Sequence, residues 1–228
     1  MDLFENDLIN NTTGQPVHIA DGAMLLRQFV QQNKNALPDE TALLADLNCI
    51  LENSSLRNMT TPGGFTMSVA MTNCGTLGWV SDKKGYRYTA LDPSTGLPWQ
   101  PMPASFLALA SAAAMQAGYV HFVPDVCLIN QYKSTARMSL HQDKDEQDFS
   151  QPIVSVSLGV SATFLLGAAK RSDKPSKILL QHGDVVVWGG KSRLNYHGIM
   201  PLEVTNIQTN GHEAFGACRF NLTFRKAV

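Results

Sequence analysis

At 228 residues, 44% of them hydrophobic and 16% charged, the chain is long enough for one compact domain with a sizeable core and too short for two full ones. Its 18 basic and 19 acidic residues leave a net charge of −1, which excludes a globally basic polyanion binder, so any such contact must be local. No stretch approaches about eighteen consecutive apolar residues, and the acidic opening Met1-Asp2-Leu3-Phe4-Glu5 lacks a basic flank before an apolar run. A soluble, cytoplasmic protein that neither spans a membrane nor is secreted is expected.

In chain order, the polar segment 1–15 reads as a mobile terminus. Leu43, Leu44, Leu47, Ile50 and Leu51 recur at helical spacing within 39–53, and Pro103 opens an Ala-rich helix that ends near Gly118. Between them, 63–71 reads as a strand within a Gly-, Pro- and Tyr-rich region that runs to about Pro103, offers few core positions and looks like a lid. Beyond residue 120 the chain turns to short β-prone runs at 126–132, 153–158, 162–166, 177–181, 184–188 and 218–225. Many short strands separated by Gly, Pro, Ser and Asp predict a sandwich or jelly roll. The expected plan is an α+β chain with a mainly β core: a mobile 1–15, N-terminal helices and lid over 16–120, and the β core over 121–228. Cys49, Cys74, Cys127 and Cys218 are scattered singly, which argues against a zinc ribbon or a disulfide framework and for reduced, largely buried thiols.

His141-Gln142-Asp143 spaces an imidazole and a carboxylate two residues apart, which on an extended chain sends both to one face. His197 is the best third ligand, following 185–188 closely enough to come from a neighbouring strand. Two histidines and one carboxylate form the facial triad of non-haem Fe(II) oxygenases, leaving positions open for an acid and for dioxygen. His182-Gly183-Asp184 repeats the H-x-D pattern, but its central glycine directly before an apolar run suits a turn. For His141 a surface histidine in a polar loop is the competing reading. His18, His121 and His212 lack a carboxylate at a face-sharing spacing.

The run 218–225 alternates strictly, with Arg219, Asn221, Thr223 and Arg225 on one face and Phe220, Leu222 and Phe224 on the other. Either the polar face is solvated, or it lines an interior in which a dicarboxylate such as 2-oxoglutarate neutralises two guanidiniums that are otherwise expensive to bury. Leu128, Asn130 and Tyr132 share a face of an earlier run and could hydrogen-bond the same ligand, or form a solvated edge. The cluster Lys170-Arg171-Ser172-Asp173-Lys174-Pro175-Ser176-Lys177 is either a solvated loop or a local phosphodiester track.

From roughly Met59 to Arg225 the chain resembles the bacterial AlkB alkylation-repair dioxygenases. The stretches that carry the resemblance are Thr60-Thr61-Pro62-Gly63-Gly64-Phe65-Thr66-Met67-Ser68-Val69-Ala70-Met71-Thr72-Asn73-Cys74-Gly75, Leu140-His141-Gln142-Asp143-Lys144-Asp145-Glu146, His182-Gly183-Asp184-Val185-Val186-Val187-Trp188-Gly189-Gly190 and Arg219-Phe220-Asn221-Leu222-Thr223-Phe224-Arg225. The first fifty or so residues correspond poorly. The resemblance implies a double-stranded β-helix carrying a nucleotide-recognition lid, with iron on His141, Asp143 and His197. It implies that Asn130, Tyr132, Arg219, Asn221 and Arg225 hold 2-oxoglutarate, with Arg225 on the distal carboxylate and Arg219 and Asn130 near the chelating one.

By the same resemblance Trp79 stacks on an alkylated base against His141, Tyr86 and Tyr88 contact base or backbone, and Asp145 meets the exocyclic amino group. Thr61, Lys144 and Arg171 reach phosphates or lesion edges. The implied activity is an Fe(II)-, 2-oxoglutarate- and O2-dependent demethylation of 1-methyladenine and 3-methylcytosine, releasing formaldehyde, succinate and CO2. Single-stranded DNA is the foremost substrate implied, with double-stranded DNA and RNA after it, and the enzyme is expected to act as a monomer. Two rivals stay open: a dioxygenase acting on a protein side chain or small metabolite, and a catalytically silent nucleic-acid-binding module.

Overall fold

A computed structural model describes residues 15–32, 39–202 and 215–228. The expected mobile terminus, but for residue 15, and His212 lie outside the described residues. The N-terminal half carries β1 (Val17–Ala20), β2 (Ala23–Leu26), α1 (Phe29–Gln32), α2 (Glu40–Asn53), β3 (Arg57–Thr60), β4 (Thr66–Gly75), β5 (Gly78–Asp82), β6 (Gly85–Thr89) and α3 (Ala104–Gln116). Strands β7 (Val126–Tyr132), β8 (Met138–His141), β9 (Ile153–Gly159), β10 (Ala162–Leu166), β11 (Ser176–Leu180), β12 (Val185–Trp188), β13 (His197–Ile199) and β14 (Arg219–Arg225) follow.

Two sheets make the body, an eight-stranded one in the order β1-β2-β12-β9-β14-β7-β4-β3 and a four-stranded one in the order β11-β10-β13-β8. Among the described residues, the pairings between named strands within them are antiparallel. This is the expected double-stranded β-helix with few helices. Both helix expectations hold. Asp39 caps α2 by accepting the Ala42 N–H at 2.8 Å, and Gly118, at φ +90°, stands just past the end of α3.

The large sheet separates two apolar clusters. On its outer face, Leu43, Leu47 and Ile50 of α2 and Phe106, Leu109, Ala110 and Ala113 of α3 pack with Ile129, Val154, Val156, Leu222 and Phe224. Between the sheets, Met71, Leu128, Tyr132, Phe164, Trp188 and Ile199 form the second cluster. The helices therefore take one side of β14, and its polar side turns inward toward the small sheet. All seven residues of β14 are buried, so the solvated-face reading of that strand fails.

Three sequence expectations change. The strand expected at 63–71 is β4, which continues to Gly75, and Val69, Met71 and Cys74 are core positions because β4 pairs with β7 along six residue pairs. Strand β13 neighbours β10 and β8 in the small sheet, whereas β12 lies in the large one, so His197 faces 185–188 across the core and does not sit beside it. The cysteines are all free, but only Cys74 and Cys127 are buried, while Cys218 is half-buried and Cys49 exposed.

The rival H-x-D is a turn. Gly183 has φ +83°, a conformation that favours glycine. Asp184, fully buried, accepts from Arg27 at 2.6 Å and from the Gln28 and Gln181 N–H groups at 2.9 Å. His182 Nδ1 accepts the Gly159 N–H at 2.9 Å, and its other ring nitrogen is 2.5 Å from Glu40. These bonds occupy both side chains away from any metal.

Candidate active site

His141 ends β8 and His197 begins β13, and the two are direct cross-strand partners. Asp143 follows two residues after His141, and one ligand atom from each of the three lies within 4.8 Å of the others, the one such group among the described residues. His141 Nδ1 is 2.9 Å from the Ser139 carbonyl and His197 Nδ1 is 3.0 Å from the Asn195 carbonyl. A carbonyl only accepts, so each Nδ1 carries the proton and each Nε2 keeps its lone pair. Each of those Nε2 atoms is 3.7 Å from an Asp143 oxygen.

The electrostatics suit a cation. Burial, reinforced by His141, pushes the His197 imidazole down to about 4, so it is neutral and able to ligate at neutral pH. Burial alone would raise the Asp143 carboxyl, but the Arg225 guanidinium beside it outweighs burial and holds the group below the usual carboxylate range. Two imidazoles with Nε2 lone pairs and a carboxylate, gathered within 4.8 Å of one another, are the donor set that a non-haem Fe(II) needs.

Gly198 explains how the two ligand strands come so close. A Cβ there would sit 2.6 Å from the Met138 carbonyl oxygen on β8. Gly198→Ala is therefore expected to force β13 off β8, costing about 1–3 kcal/mol of stability and weakening Mn(II) binding. Denaturant melts and metal titration check both.

Behind the triad, the inward face of β14 meets that of β7: Arg219 pairs with Tyr132 and Asn221 with Asn130. Asn130 Nδ2 donates to Asn221 Oδ1 at 3.2 Å, and Asn221 Nδ2 donates to Ser155 Oγ at 2.7 Å. Arg219 donates to Ser157 Oγ at 3.0 Å and lies 5.1 Å over the Tyr132 ring, whose hydroxyl burial pushes up to about 12. Among the described residues, Arg219 Nε and Nη1 and Arg225 Nη1 are buried without a hydrogen-bond partner. Buried guanidinium donors left unpaired are costly, so this pocket is built for an anion.

Arg225 donates from Nε and Nη2 to Asp143 Oδ2, at 3.0 and 2.7 Å. It therefore sits beside the metal ligands, while Arg219 lies three inward positions away on β14. The Arg225–Asp143 contact places this guanidinium at the metal-ligand end of the inward face.

A cavity of about 850 Å³ joins these groups. Its lining takes in the triad, Asn130, Tyr132, Arg219, Asn221 and Arg225, and at its mouth Thr61, Trp79, Tyr86, Lys144, Asp145 and Arg171. Trp79 and Tyr86, from β5 and β6, stack at 5.6 Å and 13°. Trp79 Nε1 donates to Asp145 Oδ2 at 2.8 Å, and the fully buried Asn73 clamps the Trp79 main chain with two 3.0 Å bonds. Tyr88 is the exception among the predicted residues. It does not line the cavity, and its hydroxyl donates to Glu146 at 2.5 Å.

Sequence reasoning missed Asn73, Glu146 and Arg193. Asn73 sits inside a strand-like run and gives no polar signal of its own. Glu146 closes an Asp143-Lys144-Asp145-Glu146 run and Arg193 follows Lys191, both of which read as solvated loop. Glu146 and Arg193 meet each other across 47 positions and Glu146 meets Tyr88 across 58, so no local pattern marks them.

The 2OG-Fe(II) oxygenase superfamily profile matches residues 22–225. The Escherichia coli protein named alpha-ketoglutarate-dependent dioxygenase AlkB is 52% identical over 92% of this chain and 92% of its own. The chain belongs to the 2OG-Fe(II) oxygenase superfamily, as an AlkB-type member. An Arabidopsis thaliana protein named DNA N(6)-methyladenine demethylase ALKBH1C is 40% identical over 46% of this chain and 24% of its own. The solved structure of OsALKBH1 superposes with a TM-score of 0.76 at 28% identity, covering 92% of this chain and 99% of that one. The match begins at residue 22, well ahead of Met59, so the likeness extends over residues that the quoted motifs leave out. This protein is a 2-oxoglutarate-dependent dioxygenase that uses Fe(II), 2-oxoglutarate and O2, which removes the reading as a silent binding module. No helix of the described residues is long and apolar enough to cross a membrane.

Proposed function

We propose that the enzyme removes N-alkyl groups from nucleic-acid bases, with 1-methyladenine and 3-methylcytosine in single-stranded DNA as its foremost substrates and double-stranded DNA and RNA after them. It would act as a cytoplasmic monomer. The observation that carries this reading is the cavity mouth, where an indole stacked on a phenol and tied to a carboxylate stands beside the triad. The Arabidopsis relative, named a DNA N(6)-methyladenine demethylase, supports the same substrate class.

In this reading His141, Asp143 and His197 hold the iron. Bound there, iron with 2-oxoglutarate and dioxygen supplies C–H hydroxylation coupled to decarboxylation of the oxo acid to succinate, which for an N-methyl group ends in formaldehyde. Arg225 and Asn221 receive the end of 2-oxoglutarate nearest the metal. Arg219 and Tyr132 receive the distal carboxylate, and Asn130 orients Asn221 from across the sheet.

Trp79 provides the stacking face opposite His141. A cationic methylated base suits an electron-rich indole, and Asp145 complements its charge while accepting its exocyclic amino group. A lesion that cannot pair is also cheaper to extract from its strand, by a few kcal/mol at most. Thr61, Lys144 and Arg171 take the flanking phosphates, and Tyr86 supports the indole. Tyr88 is engaged by Glu146 and is not assigned to the substrate.

Trp79→Ala tests the substrate class. The loss of base stacking is expected to raise the KM for a 1-methyladenine oligonucleotide roughly ten- to a hundredfold, with 2-oxoglutarate binding retained in the presence of Mn(II). An unchanged oligonucleotide KM would move the substrate to a protein side chain or a small metabolite.

A further inference from the structure

Glu146 gathers three side chains from separate parts of the chain, yet it does not line the cavity. Its own side chain is 1% exposed. Oε1 accepts the Tyr88 hydroxyl from β6 and lies 3.4 Å from Arg225 Nε on β14. Oε2 accepts Arg193 Nη2 at 3.0 Å. Arg193 in turn donates to the Asp143 main-chain carbonyl at 2.8 Å and to that of Gln151 at 3.0 Å, with its guanidinium 5.2 Å over the Phe149 ring.

A continuous set of contacts thus runs from the β5–β6 hairpin to the metal ligands: Tyr88 to Glu146, Glu146 to Arg225, Arg225 to Asp143. Three nitrogens of Arg225 divide cleanly along it. Nε and Nη2 are held on Asp143, with Glu146 close to Nε, and Nη1 alone has no partner among the described residues. A planar guanidinium fixed at two nitrogens has its third already oriented. Burial and the Glu146 carboxylate together raise the Tyr88 hydroxyl well above its usual range, so it stays protonated and remains a donor.

We propose that Glu146 is a positioning residue that couples the β5–β6 hairpin to the 2-oxoglutarate pocket. With Tyr88 seated on it, Glu146 holds the Arg225 plane so that Nη1 is oriented for an anion in the cavity. Linkage makes the effect reciprocal: 2-oxoglutarate that engages Arg225 steadies Tyr88 and so the hairpin that carries Trp79. The hairpin is then ordered over the site when the co-substrate is present. This inference rests on the assignment of Arg225 to 2-oxoglutarate.

The test uses the full chain loaded with Mn(II), which needs no turnover. Titration of 2-oxoglutarate into Tyr88→Phe, Glu146→Gln and the double variant is combined with hydrogen exchange of residues 78–89. The coupling predicts that Tyr88→Phe raises the 2-oxoglutarate Kd about threefold although Tyr88 is outside the cavity, and that Glu146→Gln raises it about tenfold. The double variant should be no worse than Glu146→Gln alone. In the unsubstituted protein 2-oxoglutarate should slow exchange in 78–89, and in Glu146→Gln it should not.

A purely structural Glu146 would lower the melting midpoint of the variants, leave the Kd unmoved and leave hairpin protection intact, and that result overturns the proposal. Tyr88→Phe keeps the ring and decides the matter by its Kd if Glu146→Gln does not fold. Failure of the unsubstituted protein to bind 2-oxoglutarate would overturn the pocket assignment, and the coupling with it. That result is distinct from normal binding without coupling.

Discussion

Asp143→Ala is expected to reduce turnover by at least about a thousandfold and to destabilise the fold at the same time. The carboxylate has two roles that no other residue can take over. It is the one anionic member of the His141, Asp143, His197 group, and it accepts both the Nε and Nη2 donors of Arg225. Its removal leaves a buried guanidinium facing two imidazoles, and breaking a buried pair in this way costs about 3–5 kcal/mol. Asp143→Asn separates the roles, since the amide oxygen still accepts a hydrogen bond while the charge that favours a divalent cation is gone. Calorimetric titration with Mn(II) should show no binding to the alanine variant and weakened binding to the asparagine variant. Mn(II) affinity retained in Asp143→Ala would remove Asp143 from the ligand set.

Arg219→Met should separate function from stability in the opposite sense. Arg219 is 1% exposed, and two of its three guanidinium nitrogens have no partner among the described residues. Burial lowers its pKa, the direction expected of a cation waiting for an anion. A methionine fills much of the same volume without a charge to desolvate, so the ligand-free protein is expected to be as stable as before or more stable. The KM for 2-oxoglutarate should rise about a hundredfold, the cost of removing a charged partner from a buried carboxylate. A fall in stability with an unchanged KM would make Arg219 a structural cation held by Ser157 and Tyr132, with no part in co-substrate binding.

The residues that carry these effects were legible in the sequence to different degrees, for physical reasons. His141 and Asp143 share a face because strand side chains repeat every two residues, and that is a local rule. His197 was found as a candidate, but its sheet was not, because nothing in a three-residue strand says whether it pairs with β12 or faces it. The alternation of β14 was plain, while its orientation was not. A solvated polar face and a ligand-lined interior have the same period, and only the packing of α2 and α3 on Phe224 and Leu222 decides between them.

Strand β4 was underestimated because its Gly- and Pro-rich surroundings hide a ten-residue strand whose alternation is broken by Thr72 and Asn73, both fully buried. The Arg225–Asp143 contact has no local signal either, since it joins residues 82 positions apart. Glu146 had no local signal at all. An acidic residue after Asp143-Lys144-Asp145 looks solvated until Tyr88, Arg193 and Arg225 are brought around it.

The most direct test of the account is the stoichiometry of products from a single-stranded oligonucleotide carrying one 1-methyladenine, incubated with the enzyme, Fe(II), 2-oxoglutarate and air. The account predicts one formaldehyde and one succinate for each adenine restored, with both products lost in His141→Ala protein of unchanged circular dichroism. Succinate formed at the same rate with and without the methylated oligonucleotide, and no formaldehyde, would contradict it.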